Sequence, residues 1–112
     1  MENRGQKMQD IKCYRQNGRA VVEGVEHKIV YHSLDGFEWG YGGSGPAELA
    51  LNILAQYLPN DAAYRLHQDF KWKFIAPLSE EGGTIKRTDI EAWIANKNHT
   101  PNDDPVIMES WL

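Results

Sequence analysis

The sequence lacks several features that would point directly to a function. It contains one cysteine, Cys13, so a single chain cannot form an internal disulfide bond or a thiolate metal cluster. Lys and Arg number 12 against 16 Asp and Glu, giving a formal charge of −4. The chain therefore has no overall attraction to phosphate backbones, and direct nucleic-acid binding is not expected.

Long hydrophobic runs are also missing. The longest apolar stretch extends from about Leu49 to Leu58 and is interrupted by Asn52 and Gln56, so it falls short of the roughly 20 residues that span a bilayer. The first ten residues are polar and lack the apolar centre of a secretory signal. We expect a cytoplasmic protein with no membrane association.

The 112 residues are enough for one domain with a hydrophobic core. Hydrophobic residues make up 41% and charged residues 25%, as in an ordinary soluble protein. We predict a flexible N-terminus at 1–10, a single domain at 11–96 and an irregular tail at 97–112. The tail contains four apolar residues that we expect to dock on the domain or on a partner, namely Val106, Ile107, Met108 and Trp111.

The N-terminal third of the domain has the pattern of a β-meander. Residues 11–15 alternate in type and precede Asn17-Gly18, a pair that favours a tight hairpin because both turn positions need positive φ. Residues 20–25 and 27–32 are rich in β-branched side chains and are predicted as a second and a third strand. A short extended piece is predicted at 84–86.

From Pro46 onward the hydrophobic period becomes that of a helix. Glu48, Asn52 and Gln56 fall at i, i+4 and i+8 and form one narrow polar stripe on an otherwise apolar helix. This first helix should be mostly buried, with Gly45 as its N-cap.

Two further helices follow. Asn60 or Asp61 is predicted to cap the second helix, which should end near Pro77. A capping box from Thr88 to Glu91 predicts the start of the third helix, which should reach about Asn96. Their predicted buried residues are Leu66, Phe70 and Phe74 in the second helix and Ile90, Trp93 and Ile94 in the third.

These elements predict an α+β fold. We expect a small antiparallel sheet of three or four strands packed against three helices, with the helix that begins near Pro46 at the centre.

The segment before that helix is rich in glycine. Residues 40–45, GYGGSG, fit the dinucleotide-binding pattern G-x-G-x-x-G, but the preceding DGFEW is not a buried strand and Asp61 stands at a helix cap. The phosphate loop of nucleotide triphosphatases requires a Lys-Ser/Thr pair that is missing. The nucleophile elbow requires a glycine where Pro46 stands.

A helix N-terminus can hold an anion without any of these motifs. The first amides of the helix, near Ala47 and Glu48, point back toward the glycine segment and carry the positive end of the helix dipole. The Glu48 carboxylate would compete for those amides. The alternative is structural: the glycines permit positive φ and close packing under Phe37, Trp39 and Tyr41.

Cations and aromatic side chains could complete such a site. Arg65, Lys71 and Lys73 belong to the second helix, and Trp39 or Tyr41 could stack on a base. Arg65 could instead pair with Asp69, four residues later, and Trp72 could be interfacial or part of the core. The predicted ligand-binding residues are Trp39, Tyr41, Gly42, Gly43, Ser44, Gly45, Arg65 and Lys71.

Other chemistry is not indicated. The histidines are scattered, and the pattern favours a structural, hydrogen-bonded role for His67 over that of a ligand or base. Cys13 on a strand is typical of a small buried hydrophobe. No acid, base, nucleophile or metal-ligand set can be assembled, so we expect no catalytic residues, no metal and no cofactor.

Three segments resemble a known family. Residues 36–54 (GFEWGYGGSGPAELALNIL), 68–72 (QDFKW) and 88–94 (TDIEAWI) are similar to a family of small uncharacterised proteins from bacteria and their phages. The resemblance covers about residues 33–94 and implies an accessory protein of a phage or mobile element. Small phage proteins often inhibit host defence, either by binding a defence protein or by sequestering a nucleotide signal.

We therefore expect a non-enzymatic binding protein that holds an anionic, nucleotide-like ligand at the glycine segment. The alternative is a protein-protein inhibitor or adaptor that acts on a host defence or nucleic-acid-processing complex. It would use the acidic surface, Trp72 and the Trp111 tail. The oligomeric state is not indicated by the sequence.

Overall fold

The computed structural model describes residues 8–98 of the protein. Its first two strands, β1 (Ile11–Gln16) and β2 (Arg19–Glu23), pair in antiparallel fashion across a tight turn. The turn residues Asn17 and Gly18 have φ values of 54° and 79°, as the two central positions of a type I′ turn require. The predicted hairpin is confirmed.

The third strand of the sheet overlaps the short extended piece predicted at 84–86 and does not come from residues 27–32. Strand β3 (Gly82–Ile85) pairs with the free side of β1, so the order in the sheet is β2-β1-β3 and both pairings are antiparallel. Residues 27–32, predicted as a strand, pair with no strand, and the prediction was wrong there. Side chains of the first helix bind the backbone of this segment in place of a neighbouring strand.

Three α-helices follow the hairpin, as predicted. They are α1 (Ser44–Ala55), α2 (Asn60–Phe70) and α3 (Arg87–Asn98), and a π-helical turn (Lys71–Ile75) continues α2. Helix α1 is capped by Gly43 instead of Gly45, and α2 by Pro59, with no side-chain cap from Asn60 or Asp61. Local turn chemistry thus predicted the helices but misplaced their first residues.

The start of α3 also differs from the prediction. The helix begins at Arg87, before Thr88, so the expected capping box does not form. The backbone N–H of Arg87 instead donates to the Asp10 carboxylate at 2.8 Å. Glu91, expected to complete the box, accepts from the Arg87 guanidinium at 3.0 Å. A contact from the first strand region therefore fixes this helix start, and α3 runs on to Asn98.

Helix α1 lies at the centre of the molecule. Every residue from Gly45 to Leu54 is buried, which confirms the predicted central helix. Other elements add buried side chains to the same core: Ile11, Cys13, Trp39, Phe70, Ile75, Ile85, Ile90 and Ile94. Leu66, Phe74 and Trp93 pack against it while partly exposed.

The described residues contain no helix that is long and apolar enough to cross a bilayer. Residues 1–7 and 99–112 lie outside the described part, and so do most of the predicted flexible N-terminus and most of the predicted tail with its apolar residues.

Candidate functional site

The amino end of α1 has two backbone N–H groups that no acceptor of the described residues binds. Ala47 N–H makes the first helical bond, to the Gly43 carbonyl at 3.1 Å, and no side chain caps the helix. Pro46 has no N–H. Within residues 8–98 the N–H groups of Ser44 and Gly45 have no acceptor; Ser44 is exposed, whereas Gly45 is buried and packs against Glu38. These two amides carry the positive end of the helix dipole.

The Glu48 carboxylate does not compete for these amides, although the sequence suggested that it could. Glu48 is fully buried and accepts from the backbone N–H groups of Tyr31 and His32, the latter at 2.6 Å. Its Oε2 also lies 2.7 Å from His27 Nε2. The carboxylate therefore points away from the first turn and toward residues 27–32.

Glycines bring aromatic side chains close to this end of the helix. A Cβ atom at Gly42 would collide with the Trp72 indole, and one at Gly43 would collide with the Tyr41 ring. Within residues 40–45 only Gly40 has positive φ, 88°. The structural role of the glycines is thus close packing, but under Trp72 and Tyr41 more than under Phe37 or Trp39. Both of these rings remain half exposed, at 60% for Trp72 and 52% for Tyr41.

Lys71 places a buried charge beside the glycines. Its side chain belongs to a residue that is 5% exposed, and Nζ donates to the Gly42 carbonyl at 2.9 Å. The ammonium also lies 4.5 Å from the centre of the Trp72 ring. No carboxylate of the described residues pairs with it. Buried cations are ordinarily paired with an anion, so this one is unusual.

The structure brings together most of the predicted ligand-binding residues. Tyr41, Gly42, Gly43, Ser44, Gly45 and Lys71 lie at the amino end of α1, and Trp72 joins them. Trp39 does not, because it is 1% exposed and its Nε1–H donates to the Glu80 carbonyl at 3.0 Å inside the fold.

Arg65 also lies apart from this group. It is exposed on α2 and has neither a hydrogen bond nor an ion pair within residues 8–98. It precedes Lys71 by six residues, and at 3.6 residues per turn the two side chains leave the helix on different sides. The alternative pair between Arg65 and Asp69 is not formed either; Asp69 lies 3.8 Å from Lys97.

The polar stripe of α1 holds residues 24–32 against the helix. Asn52 accepts from the N–H groups of Lys28 and Ile29 and donates to the Ile29 carbonyl, while Gln56 donates to the Gly24 carbonyl. Glu48 completes the stripe. Its spacing was visible in the sequence, but the residues that it binds were not.

Two histidines form a direct hydrogen bond. His32 Nε2 lies 2.8 Å from His67 Nε2, and His67 Nδ1 contacts the Tyr64 carbonyl. A carbonyl only accepts, so Nδ1 of His67 carries the proton and His32 donates to the Nε2 of neutral His67. The ring centres are 5.0 Å apart, which places the two nitrogens head to head. A metal between them would not fit, and the described residues contain no group of three or more His, Cys, Asp or Glu that could hold one.

Burial and charge shift two titratable groups near this region. Burial lowers the pKa of His67, and the nearby charges of His32 and Lys71 add to the effect. Burial acts to raise the pKa of Glu48, but the hydrogen bonds from His27 and from the amides of His32 and Tyr31 outweigh it and lower that pKa. At neutral pH His67 is thus neutral and Glu48 is ionised.

The structure is that of a small α+β protein in which the buried Lys71 cation lies beside the amino end of α1. The model of a family of unknown function, DUF6166, matches residues 3–96, and the chain belongs to that family. Neither a curated protein nor a solved structure matches the chain.

Proposed function

We propose that this protein is a non-enzymatic binding protein that holds an anionic, nucleotide-like ligand at the amino end of α1. The observation that carries the proposal is Lys71, a buried ammonium whose contacts are a carbonyl and an indole, with no carboxylate of the described residues beside it. A bound phosphate would supply the missing negative charge.

The groups at this site suit a phosphate oxygen. The Lys71 ammonium has three donors, and the Gly42 carbonyl takes one of them. The free N–H groups of Ser44 and Gly45 follow two and three residues after Gly42, the residue whose carbonyl Lys71 binds, so amides and cation belong to the same part of the fold, with Ser44 the exposed one of the two. The half-exposed rings of Tyr41 and Trp72 lie against Gly43 and Gly42, and they provide flat surfaces on which a base can stack.

Calorimetry with nucleoside mono-, di- and triphosphates tests the proposal. Lys71→Met should weaken nucleotide binding by about 10- to 100-fold, which corresponds to the loss of one charge-assisted hydrogen bond. Lys73→Met, two residues away on an exposed side chain, is the matched control and should bind like the wild type. Equal binding by both variants would contradict the proposal.

A second variant separates ligand loss from fold loss. Ser44→Glu places a carboxylate in the first turn of α1, where it should stabilise the fold by about 0.3–1 kcal/mol and occupy the ligand's amides. We expect a higher melting temperature together with weaker nucleotide binding. Ser44→Gln should change neither strongly. Undiminished nucleotide binding by Ser44→Glu would show that the ligand lies elsewhere.

One observation favours a second candidate, a protein-protein inhibitor or adaptor. Val30 and Tyr31, at the end of the stretch that α1 holds, and Leu34 just after it are exposed by 53%, 60% and 89%, so this part of the chain presents apolar side chains to solvent. A host defence or nucleic-acid-processing protein is the partner class that we propose. Leu34→Ser should abolish capture of such a partner and leave nucleotide binding intact. If Leu34→Ser weakens nucleotide binding but still captures the partner, the second candidate is wrong.

A further inference from the structure

The free edge of strand β2 carries unpaired backbone groups. The sheet order is β2-β1-β3, so β2 has a neighbouring strand on one side only. The two-residue turn pairs Gln16 with Arg19, and in such a hairpin this closing pair exchanges hydrogen bonds. Because the bonding direction alternates along a strand, the N–H and C=O groups of Ala20 and Val22 face away from β1. Within residues 8–98 neither of these two N–H groups has an acceptor.

The described residues leave space beside this edge. A groove of about 590 Å³ is lined by Ala20 and Val22 of β2 and by Val25 and Phe37 from the segments that follow. The groove therefore offers apolar contacts to the side chains of a strand that is added next to β2.

The opposite edge of the sheet is less accessible to another strand. Strand β3 has four residues, and the N–H of Gly82 already donates to the Ser79 carbonyl at 2.9 Å. Natural proteins often block an exposed edge with lysine, proline or a charged side chain that points inward. Strand β2 contains no lysine or proline, and its core-facing side chains are those of Ala20 and Val22. The edge that can accept a further strand is thus that of β2.

The sequence of β2 is complementary to itself in one antiparallel register. When two β2 strands pair about a two-fold axis at Val21, Ala20 of each copy lies opposite Val22 of the other, and all of their outward N–H and C=O groups are paired. The same register places Arg19 of each copy opposite Glu23 of the other, in a non-hydrogen-bonded pair whose side chains approach closely. A shift by two residues would pair fewer backbone groups and place Arg19 or Glu23 opposite Val21. The backbone and the charges therefore favour the same register.

Both charged side chains are available for this contact. Arg19 is exposed and has neither a hydrogen bond nor an ion pair within residues 8–98. Glu23 is also exposed, and its Oε2 accepts from the Tyr14 hydroxyl at 2.7 Å, which leaves Oε1 for a cation. Lys12 lies opposite Glu23 on β1, but the two form no ion pair in the described part of the chain.

We propose that β2 is the interface of a symmetric dimer, in which two copies of this chain join their three-stranded sheets edge to edge into one antiparallel sheet. The Val21 side chains of the two copies meet at the axis beside Tyr14, on the face of the sheet away from the helices. The Ala20 and Val22 side chains of each copy lie along the groove of the other. None of the residues at the amino end of α1 belongs to this interface, so the dimer is independent of the proposed function.

The contact is small, since β2 has five residues. We therefore expect a weak dimer with a dissociation constant between about 10 µM and about 1 mM. Sedimentation velocity from about 1 µM to about 1 mM protein should show the dimer fraction rising with concentration. A protein that is still monomeric at about 1 mM would overturn the proposal.

Charge exchange tests the register. Arg19→Glu places two carboxylates opposite each other at both ends of the interface and should raise the dissociation constant about tenfold or more. Glu23→Arg should do the same, and Arg19→Glu combined with Glu23→Arg should restore dimerisation because the opposite charges are paired again. Arg65→Glu is the matched control, since Arg65 is an exposed arginine on α2 without an ion pair among the described residues, and it should dimerise like the wild type. A double variant that dimerises no better than the single ones would contradict the proposal.

Amide hydrogen exchange locates the interface. The N–H groups of Ala20 and Val22 should exchange several-fold more slowly in concentrated than in dilute protein. Those of Val21 and Glu23 already bond to β1 and should be protected at both concentrations. A dimer in which the Ala20 and Val22 amides keep their fast exchange would use another surface and would overturn the proposal. If an unrelated extended peptide protects these amides while the protein stays monomeric, the edge serves another partner and the proposed dimer is wrong.

A nuclear Overhauser effect gives direct evidence of the register. The Hα atoms of Arg19 and Glu23 should show this contact in concentrated protein only, because the two residues lie about 13 Å apart along one strand and face each other only between copies. Its absence from a dimer that protects Ala20 and Val22 would contradict the two-fold axis at Val21.

Discussion

Two glycines show how the same residue type has different costs of substitution. Gly18 and Gly82 both have positive φ, 79° and 124°, but only at Gly82 would a Cβ atom collide with a backbone atom, the Cys13 carbonyl oxygen. Gly18→Ala should therefore destabilise the protein by about 1–2 kcal/mol, and Gly82→Ala by more than about 3 kcal/mol. Urea unfolding of both variants measures the difference, and equal costs would refute the steric argument.

The Tyr57 hydroxyl is a buried polar group without a partner among the described residues. Burial is the first cause that raises the pKa of this side chain, consistent with an unsolvated hydroxyl. Tyr57→Phe should thus be neutral to stabilising, by up to about 1 kcal/mol. Tyr14→Phe is the control, since the exposed Tyr14 hydroxyl donates to Glu23 at 2.7 Å and its removal should slightly lower the free energy of unfolding. A clear loss of stability in Tyr57→Phe would mean that the hydroxyl has a partner.

At the scale of elements, the polar stripe of α1 replaces a strand partner for residues 24–32. Asn52 makes four hydrogen bonds, two as acceptor and two as donor, while Gln56 makes one. Asn52→Ala should cost about 2–4 kcal/mol because it removes four hydrogen bonds, three of them to partly buried backbone groups of Lys28 and Ile29, and Gln56→Ala about 0.5–1 kcal/mol. Amide hydrogen exchange should show faster exchange at Lys28 and Ile29 in Asn52→Ala only. Similar exchange in both variants would contradict this role of Asn52.

The same stripe explains which elements could be predicted from the sequence. The Asn17-Gly18 turn and the apolar period of α1 are local signals, and both elements formed as predicted. Residues 27–32 also carry a local signal for extended backbone, but their partner is chosen by tertiary packing. Asn52 and Glu48 satisfied their N–H groups, and the third strand came from residues 82–85.

In the candidate site, too, local signals could be predicted from the sequence and the results of tertiary packing could not. Glycine and the start of an apolar helix indicated free amides near Ala47 and Glu48, and this prediction was wrong in its residues. The helix starts two residues earlier than expected, Ala47 N–H bonds to the Gly43 carbonyl, and the amides without an acceptor among the described residues are those of Ser44 and Gly45. Lys71 was one of several cations on the second helix, and only packing shows that it is the buried one, under Trp72 and against Gly42. The sequence gives no reason to distinguish Trp39 from Tyr41, but Trp39 is buried in the core and Tyr41 is exposed at the surface.

At the scale of the whole molecule, His67 and Glu48 should both lower the free energy of unfolding as the pH falls. The pKa of His67 is lowered from 6.5, chiefly by burial, so the unfolded chain takes up this proton first and stability falls as the pH drops below about 6.5. The pKa of Glu48 is lowered from 4.5, against the effect of burial, by its hydrogen bonds with His27 and two amides. Its contribution is present above about 4.5 and is lost as the pH falls through the folded-state value.

The free energy of unfolding should therefore be highest above about pH 6.5 and decline in two stages on acidification. His67→Gln tests the assignment, because glutamine does not titrate and its side-chain oxygen can still accept from His32. Urea unfolding between about pH 8 and pH 5 should show a shallower decline in this variant than in the wild type, with the difference confined to the first stage. Parallel curves would place the acid sensitivity in other groups, and a wild-type curve that is flat between pH 7 and pH 5 would contradict a buried neutral His67.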